Sequence, residues 1–318
     1  MPQPTAGDVH VNRPLTNISI AYLQDQNEFI SGRVFPNIPV QKNSDSYYVY
    51  PKDQWFRSDA QRRAPGTESA GSGYAVSTDT YSIGEPLALH KDVPDQIRAN
   101  ADQPLNLDAE ASEFVTRQML LKREKEWAAK YFIQSLWTGA ADFTPTTKWD
   151  AANSTPIKEI RARKLAIKKK TGFNPNTLTI AEDVWTALQD NADFLDRIEI
   201  TQRKVVSLDL LAGVLALDRV LVAGAVENTA NEGATASMAS VFTGGAMLTY
   251  SAPRPSLMHP SAGYTFSWNG YIGAGQDGLR MSRFRIERLK VDRVEGEMAY
   301  DQKVVATDLG AFFYGCLT

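Results

Sequence analysis

The residues best able to carry chemistry are few and scattered. Gly273-Ala274-Gly275-Gln276-Asp277-Gly278 has the G-x-G-x-x-G spacing of a dinucleotide-binding turn. That chemistry needs a strand before the glycines and a helix N-terminus after them, so that free amides meet the pyrophosphate. The residues that follow, Leu279-Arg280-Met281-Ser282-Arg283-Phe284-Arg285-Ile286, are strand-like instead, and no βαβ unit comes after them. His10, His90 and His259 stand singly, without ligand spacing around them. Cys316 is the single cysteine, so no intrachain disulfide and no paired-thiolate metal site can be built. G-x-S-x-G, G-x-x-x-x-G-K-[ST] and H-E-x-x-H do not occur. These residues predict a glycine turn, no cofactor, no metal and no enzyme.

A second cluster is basic: Lys158, Arg161, Arg163, Lys164, Lys168, Lys169 and Lys170. On a helix these side chains spread over most of the polar circumference. Two readings stay open. One is a solvated helix whose basic residues gather at the C-terminal end, where the dipole favours them. The other is contact with nucleic acid or an acidic neighbour through Lys164, Lys168, Lys169 and Lys170, to phosphates alone, because no base-reading motif accompanies them. Over the whole chain 34 Lys and Arg face 37 Asp and Glu, a net charge of −3 that excludes wholesale coating of nucleic acid.

The elements that position these groups fit 318 residues, 43% hydrophobic and 22% charged, which suffice for about two ordinary domains at ~150 residues each. The start, Met1 to Asp8, lacks the basic and apolar regions of a signal peptide, and no apolar run nears the ~20 residues that span a bilayer. The expectation is a soluble protein of a reducing compartment, with no membrane partner. Residues 1–45 carry recurrent prolines between apolar clusters and read as an arm lying along another surface. Ile18, Ile20, Tyr22, Val34 and Phe35 are its candidate contacts with a neighbouring subunit. Residues 46–85 read as one long hairpin, with strands at Tyr47–Tyr50 and Tyr74–Tyr81. Between them, Asp53, Arg57, Asp59, Arg62, Arg63 and Glu68 mark a charged, glycine-rich tip suited to meeting a neighbour's opposite charges.

Asn106 then caps the clearest helix, predicted over 107–137, with Ala111, Phe114, Val115, Leu121, Ala128, Phe132 and Leu136 as its apolar face. Its wet face is Arg117, Lys122, Glu124, Glu126 and Lys130. Thr138 to Thr155 reads as the best domain boundary. An α/β order follows: a helix from Pro156 to about Lys169, a strand at Thr177–Ile180, a helix over Glu182–Gln189, a helical turn at Leu208–Ala212 and a strand at Arg219–Ala223. Residues 225–240 read as an exposed loop. Ala246–Tyr250 and Tyr264–Trp268 read as strands. From Leu279 to Tyr314 the chain alternates again, interrupted at Asp292–Glu297, and reads as a hairpin or two strands returning to the first half. The class is α+β. Arm and hairpin together carry apolar groups with no core of their own, which favours identical subunits that cover one another's extensions.

The order of short motifs resembles the major capsid proteins of tailed bacteriophages. Asn12-Arg13-Pro14-Leu15-Thr16-Asn17-Ile18-Ser19-Ile20-Ala21-Tyr22 and Gly32-Arg33-Val34-Phe35-Pro36-Asn37-Ile38-Pro39-Val40 are similar to the family's opening. Tyr47–Tyr50, His90-Lys91-Asp92-Val93-Pro94-Asp95 and Lys170-Thr171-Gly172-Phe173-Asn174-Pro175-Asn176-Thr177-Leu178 continue the likeness. The resemblance implies the Hong Kong 97-type capsid fold. It assigns an N-terminal arm at 1–45, an extended loop at 46–85, a peripheral domain at 86–154 and 266–318 with a spine helix at 107–137, and an axial domain at 155–265. It implies hexamers and pentamers of an icosahedral or prolate head shell around a dsDNA genome, built in the host bacterial cytoplasm, with a portal protein at one vertex. It further implies a separate scaffolding protein, since the chain begins directly with the arm, and leaves room for a cement or decoration protein. The alternative within the same fold is an encapsulin-like nanocompartment shell enclosing cargo enzymes.

Overall fold

Asn106 does open the long helix, its side-chain oxygen accepting the Ala109 amide at 3.2 Å. The computed structural model describes residues 24–101, 105–196, 207–255, 259–273 and 278–318. Within them, strands and helices are numbered in chain order. The first part holds α1 (Ser31–Val34), β1 (Asn37–Val40), β2 (Ser44–Val49), α2 (Lys52–Trp55), β3 (Ser77–Ser82), β4 (Leu87–Pro94), α3 (Asp95–Asn100) and α4 (Leu107–Tyr131). The middle holds α5 (Pro156–Thr171), β5 (Thr177–Ala181), α6 (Glu182–Gln189), α7 (Ala192–Leu195), α8 (Leu208–Leu215), β6 (Arg219–Ala223), β7 (Val226–Asn228), β8 (Met238–Ser240) and β9 (Ala246–Thr249). The last part holds β10 (Gly263–Trp268), α9 (Asn269–Ile272), β11 (Leu279–Ile286), β12 (Val291–Met298), β13 (Tyr300–Val304) and β14 (Gly310–Phe313).

The helix α4 stops at Tyr131, six residues short of the expected Trp137. The chain leaves helical geometry at Phe132 and doubles back, and the Trp137 indole donates to the Tyr131 carbonyl at 2.9 Å. A tryptophan that reads as the end of the apolar stripe therefore caps it. Ala111, Val115, Met119, Trp127 and Tyr131 form the buried line, at spacings of four and eight. Glu124, assigned above to the wet face, is fully buried on the same side. Its two oxygens accept the amides of Ile30 (2.9 Å) and Ser31 (3.0 Å), the start of α1. The N-terminal half of α4 packs on the sheet β11-β12-β4, which joins the ends of the chain as expected. Residues 292–297 do not interrupt that sheet; they are β12 itself, and the turn lies at 287–290, where Lys290 takes φ 51°. Several of the charges there are paired: Arg293 with Asp92, Glu297 with Arg280, and Asp292 with Arg98 and Arg283.

The second half surrounds the four-stranded sheet β14-β9-β5-β6. β5 is buried at every position, as a central strand covered on both faces must be, and it runs parallel to β6 and antiparallel to β9. α5 begins with Pro156 and ends at Gly172 in the left-handed region (φ 78°), matching its sequence signals. The expected loop 225–240 contains the short exposed hairpin β7–β8. Residues 138–149, read as a linker, are laced to the C-terminal strand. Thr138, Gly139, Phe143 and Trp149 donate amides to Thr307, Gly310, Phe312 and Cys316 at 2.7–3.0 Å. A third sheet, β1-β10-β13, pairs β1 in parallel with β10. The hairpin β2–β3 projects from its side.

Candidate assembly interface

The root of the hairpin is held by stacked rings and paired charges. Tyr81 stacks on Phe266 (4.6 Å between ring centroids) and Tyr47 on the same ring (5.9 Å). The Tyr47 hydroxyl donates to Asp79 Oδ2 at 2.6 Å, and Lys303 pairs with Asp79 at 2.9 Å. Burial and the Asp79 bond push the Tyr47 phenol up. The Tyr47 bond and then Lys303 hold the Asp79 carboxyl down at about 2. A folded value below the ordinary 3.8 means that this pairing stabilises fully above about pH 4 and is lost as the pH falls through about 2. Asp79→Asn is therefore expected to lose stability at pH 6 but not at pH 2. Urea midpoints of the unassembled subunit at both values check this, and an equal loss at both would refute the assignment.

Beyond the root the loop is exposed. Asp53 lies on α2, and Asp53, Arg57, Arg62, Arg63 and Glu68 are all exposed, while Asp59 is half-buried and accepts from Ser72 Oγ at 2.6 Å. Sequence reasoning noted the aromatic content of the hairpin but did not place its rings among the contact residues: Tyr48 (61% exposed), Trp55 (48%), Phe56 (65%) and Tyr74 (61%). The signal was present, since six aromatic residues fall between Tyr47 and Tyr74 in a segment with no core of its own. Trp55 and Tyr74 touch, with centroids 5.0 Å apart, and Phe56 lies over Gly172. Lys52, at the start of α2, and Lys170, at the end of α5, both pair with Asp308. Between the hairpin and the body lies a cleft of about 870 Å³, walled by Tyr48, Tyr50, Trp55 and Phe56 on one side and Phe173, Tyr264 and Leu309 on the other.

The arm residues divide. Ile18, Ile20 and Tyr22 lie outside the described residues. Val34 and Phe35 do not serve as contacts with a neighbour: both are fully buried in the chain's own core. Phe35 packs edge-on against Trp127 at 5.5 Å and against Tyr131 at 5.0 Å, and it fills the space that a side chain at Gly263 would need. The stretch from Phe29 through β1 is a strut of the subunit itself.

The basic cluster divides as well. Lys164 is half-buried and donates to the carbonyls of Leu215 (3.0 Å) and Ala216, while Arg161 donates to Val214. These carbonyls end α8, whose unpaired acceptors and negative dipole end attract cations. Burial pulls the Lys164 pKa down. Lys170 is tied to Asp308 and to the Thr138 carbonyl, and Arg163 lies over the Phe143 ring at 4.5 Å. Lys164 is therefore tied to the end of α8, whereas Lys170 keeps an exposed side chain beside its pairing with Asp308. Lys168 and Lys169 are exposed.

For the glycine motif, β11 begins directly after Gly278, so a strand stands where a phosphate-binding helix would start. Among the described residues no three His, Cys, Asp or Glu gather as metal ligands, and no helix is long and apolar enough to cross a membrane.

No family model matches the chain. The major capsid protein of Burkholderia phage BcepMu is 25% identical over 226 residues, covering 68% of this chain and 69% of that protein. The major capsid protein of Pseudomonas phage JBD67 is 26% identical over 308 residues, covering 95% and 96%. A solved phage-related protein from Bordetella bronchiseptica RB50 superposes with a TM-score of 0.71 at 22% identity, covering 92% and 93%. The mature capsid of bacteriophage PhiM1 gives 0.55 at 10% identity over 98% of each chain. An encapsulin complex from Synechococcus elongatus also gives 0.55, at 14% identity over 95% and 93%. The chain has the Hong Kong 97-type capsid fold, and in sequence it resembles the major capsid proteins of tailed phages.

Proposed function

We propose that this chain is the major capsid protein of a tailed phage, assembling as hexamers and pentamers into a closed head shell around double-stranded DNA. The observation that carries the reading is the hairpin: an exposed projection, rooted at Tyr47, Asp79 and Tyr81, with bare aromatic rings and exposed charges. An isolated two-stranded hairpin is marginal in water, so its ordering belongs to a neighbouring subunit. In this reading residues 46–85 are the extended loop, 155–265 the axial domain, and 86–154 with 266–318 the peripheral domain. A portal protein, a separate scaffolding protein, a cement protein and host-cytoplasmic assembly belong to the same proposal. Many weak contacts suffice, because a closed array raises effective concentration at each.

Light scattering and electron microscopy of the purified chain, with and without scaffold, test it: closed particles are expected, and a 35.1 kDa species under all conditions would refute it. An encapsulin-like shell shares the fold, but the two curated relatives are both phage capsid proteins. Native particles filled with DNA would support the phage reading, and particles filled with enzyme would support the other.

Of the lysines expected to face DNA, Lys168, Lys169 and Lys170 are exposed, Lys170 being paired with Asp308, and Lys168 and Lys169 serve as the test. If they face the lumen, each phosphate contact contributes about 0.9 unit of salt slope. The double change to Gln is expected to leave empty shells intact and lower nonspecific DNA retention in a filter-binding titration by up to about two units of slope. An unchanged slope would make these lysines a solvated face only.

A further inference from the structure

The cleft beneath the hairpin is at odds with the rest of the molecule, because folded interiors hold few voids larger than a water molecule. Its volume of about 870 Å³ falls within the ~300–1,000 Å³ of small-molecule sites. Its walls are aromatic, and contacts of their own set them in place. On the hairpin side Tyr50 stands edge-on to Trp55 at 6.2 Å, and Trp55 touches Tyr74 at 5.0 Å. Phe56 lies over Gly172, where the missing Cβ leaves room for the ring. On the body side Phe173 packs on Tyr250 at 5.2 Å, and the Tyr264 hydroxyl donates to the His259 carbonyl at 3.2 Å. Rings fixed in this way need little further ordering to receive a flat guest, which lowers the cost of binding it.

The charge in the cleft is unbalanced. Lys52 and Asp308 both line it. Asp308 also receives Lys170 at 3.1 Å and the Thr138 hydroxyl at 2.5 Å, so two ammonium groups and a hydroxyl share one carboxylate. Among the described residues neither lysine has a second acid within salt-bridge distance. One positive charge is left over beside the aromatic walls. Lys52 brings three N–H donors, of which its tie to Asp308 uses one, and its side chain is half-exposed. Burial, and then the Lys170 charge, pull the Lys52 pKa down, as befits an ammonium short of counter-charge.

We propose that the cleft is a binding site for a planar aromatic anion, with its ring system between hairpin and body and its carboxylate or sulfonate on Lys52. A neutral ring would meet the walls alone. A flexible alkyl anion would meet the charge, without the offset stacking open to a flat ring. The site lies within one chain and does not depend on the shell-forming reading.

Two dyes of nearly the same shape test it on the full chain before assembly, near neutral pH and at low salt. One is 8-anilinonaphthalene-1-sulfonate, and the other is the uncharged N-phenyl-1-naphthylamine. Fluorescence titration is expected to show a single saturable site that prefers the sulfonate. Lys52→Met should weaken the sulfonate about tenfold, the scale of one hydrogen bond to a charged group, and leave the neutral dye unchanged. Lys52→Arg, which keeps the charge, should retain the sulfonate. Trp55→Ala removes an exposed ring of the wall and should weaken both dyes with the unfolding midpoint unchanged. Equal affinity for the two dyes, or a sulfonate affinity that Lys52→Met does not alter, would overturn the anion site. Dye binding indifferent to Trp55→Ala would place the dye elsewhere and overturn the cleft as its seat. Should Lys52→Met fail to fold, Lys170→Met repeats the test, since it removes the surplus charge without touching the cleft lining. In competition, 2-naphthoate is expected to displace the sulfonate at lower concentration than decanoate, and the reverse order would overturn the choice of an aromatic ligand. Whether particles form is read separately, so loss of the shell reading and loss of this one are told apart.

Discussion

Glu124→Ala is expected to destabilise the unassembled subunit by about 3–5 kcal/mol, the usual cost of removing one member of a buried, hydrogen-bonded charged group. The carboxylate is fully buried on α4 and accepts two main-chain amides, from Ile30 and Ser31. Burial pushes its pKa up, while those amides and Arg123 favour the charged form. Alanine leaves both amides without an acceptor in a dry interior, a cost of about 1–3 kcal/mol for each unsatisfied group. It also leaves the Arg123 guanidinium without its acidic neighbour. Glu124→Gln keeps the volume and one acceptor oxygen, and so should lose less. The measurement is the urea midpoint, read alongside tryptophan emission, because Phe35 and Trp127 pack together and loosening of the strut admits water to the indole. A change within about 0.5 kcal/mol, the range of an ordinary surface substitution, would show that the carboxylate does not hold the strut.

Gly139→Ala is expected to cost about 3 kcal/mol, at the upper end for overpacking. A methyl group there would overlap the main-chain carbonyl oxygens of Asp308 and Gly310, and a carbonyl has no rotamer by which to step aside. The Gly139 amide donates to the Gly310 carbonyl at 3.0 Å, so relieving the clash means parting the seam between residues 138–149 and the C-terminal strand. Gly213→Ala is the matched control. It lies within α8 with open space around it, and should be neutral or stabilising by about 0.5–1 kcal/mol from helix propensity alone. Thermal unfolding of the two variants side by side separates crowding from propensity. Equal melting temperatures would overturn the seam as the cause.

How much was legible in the sequence follows from how local each cause is. α5, β5, α6 and β6 appear where their caps and β-branched runs place them, because those signals act within a few residues. The hairpin was legible for the same reason. The end of α4 was not, since an indole six residues beyond Tyr131 decides it. Glu124 reads as solvated by type, and the approach of residues 30 and 31, 94 and 93 positions away, makes its burial tolerable. Phe35 reads as an outward contact until Gly263 supplies the empty Cβ position that its ring needs. The basic helix was misjudged in part because the carbonyls taken up by Arg161 and Lys164 belong to α8, about fifty residues later. The charged tip was found by its composition. The aromatic cleft was not, because a cavity belongs to two walls that the sequence keeps apart.

The parallel pairing of β1 with β10 sets a clock on synthesis. Asn37 takes Thr265 as its partner, so β1 leaves the ribosome 228 residues before the strand it must join. At 5–20 residues per second that gap lasts roughly 10–45 s. Throughout it Phe35 has neither β10 nor the Gly263 site against which to pack. β14, at residues 310–313, closes the other sheet later still. A nascent subunit therefore finishes its body late, after the hairpin with its bare rings has already emerged. A chaperone that shields residues 44–82 during that interval would act on a segment that is sticky before it has anywhere to bind.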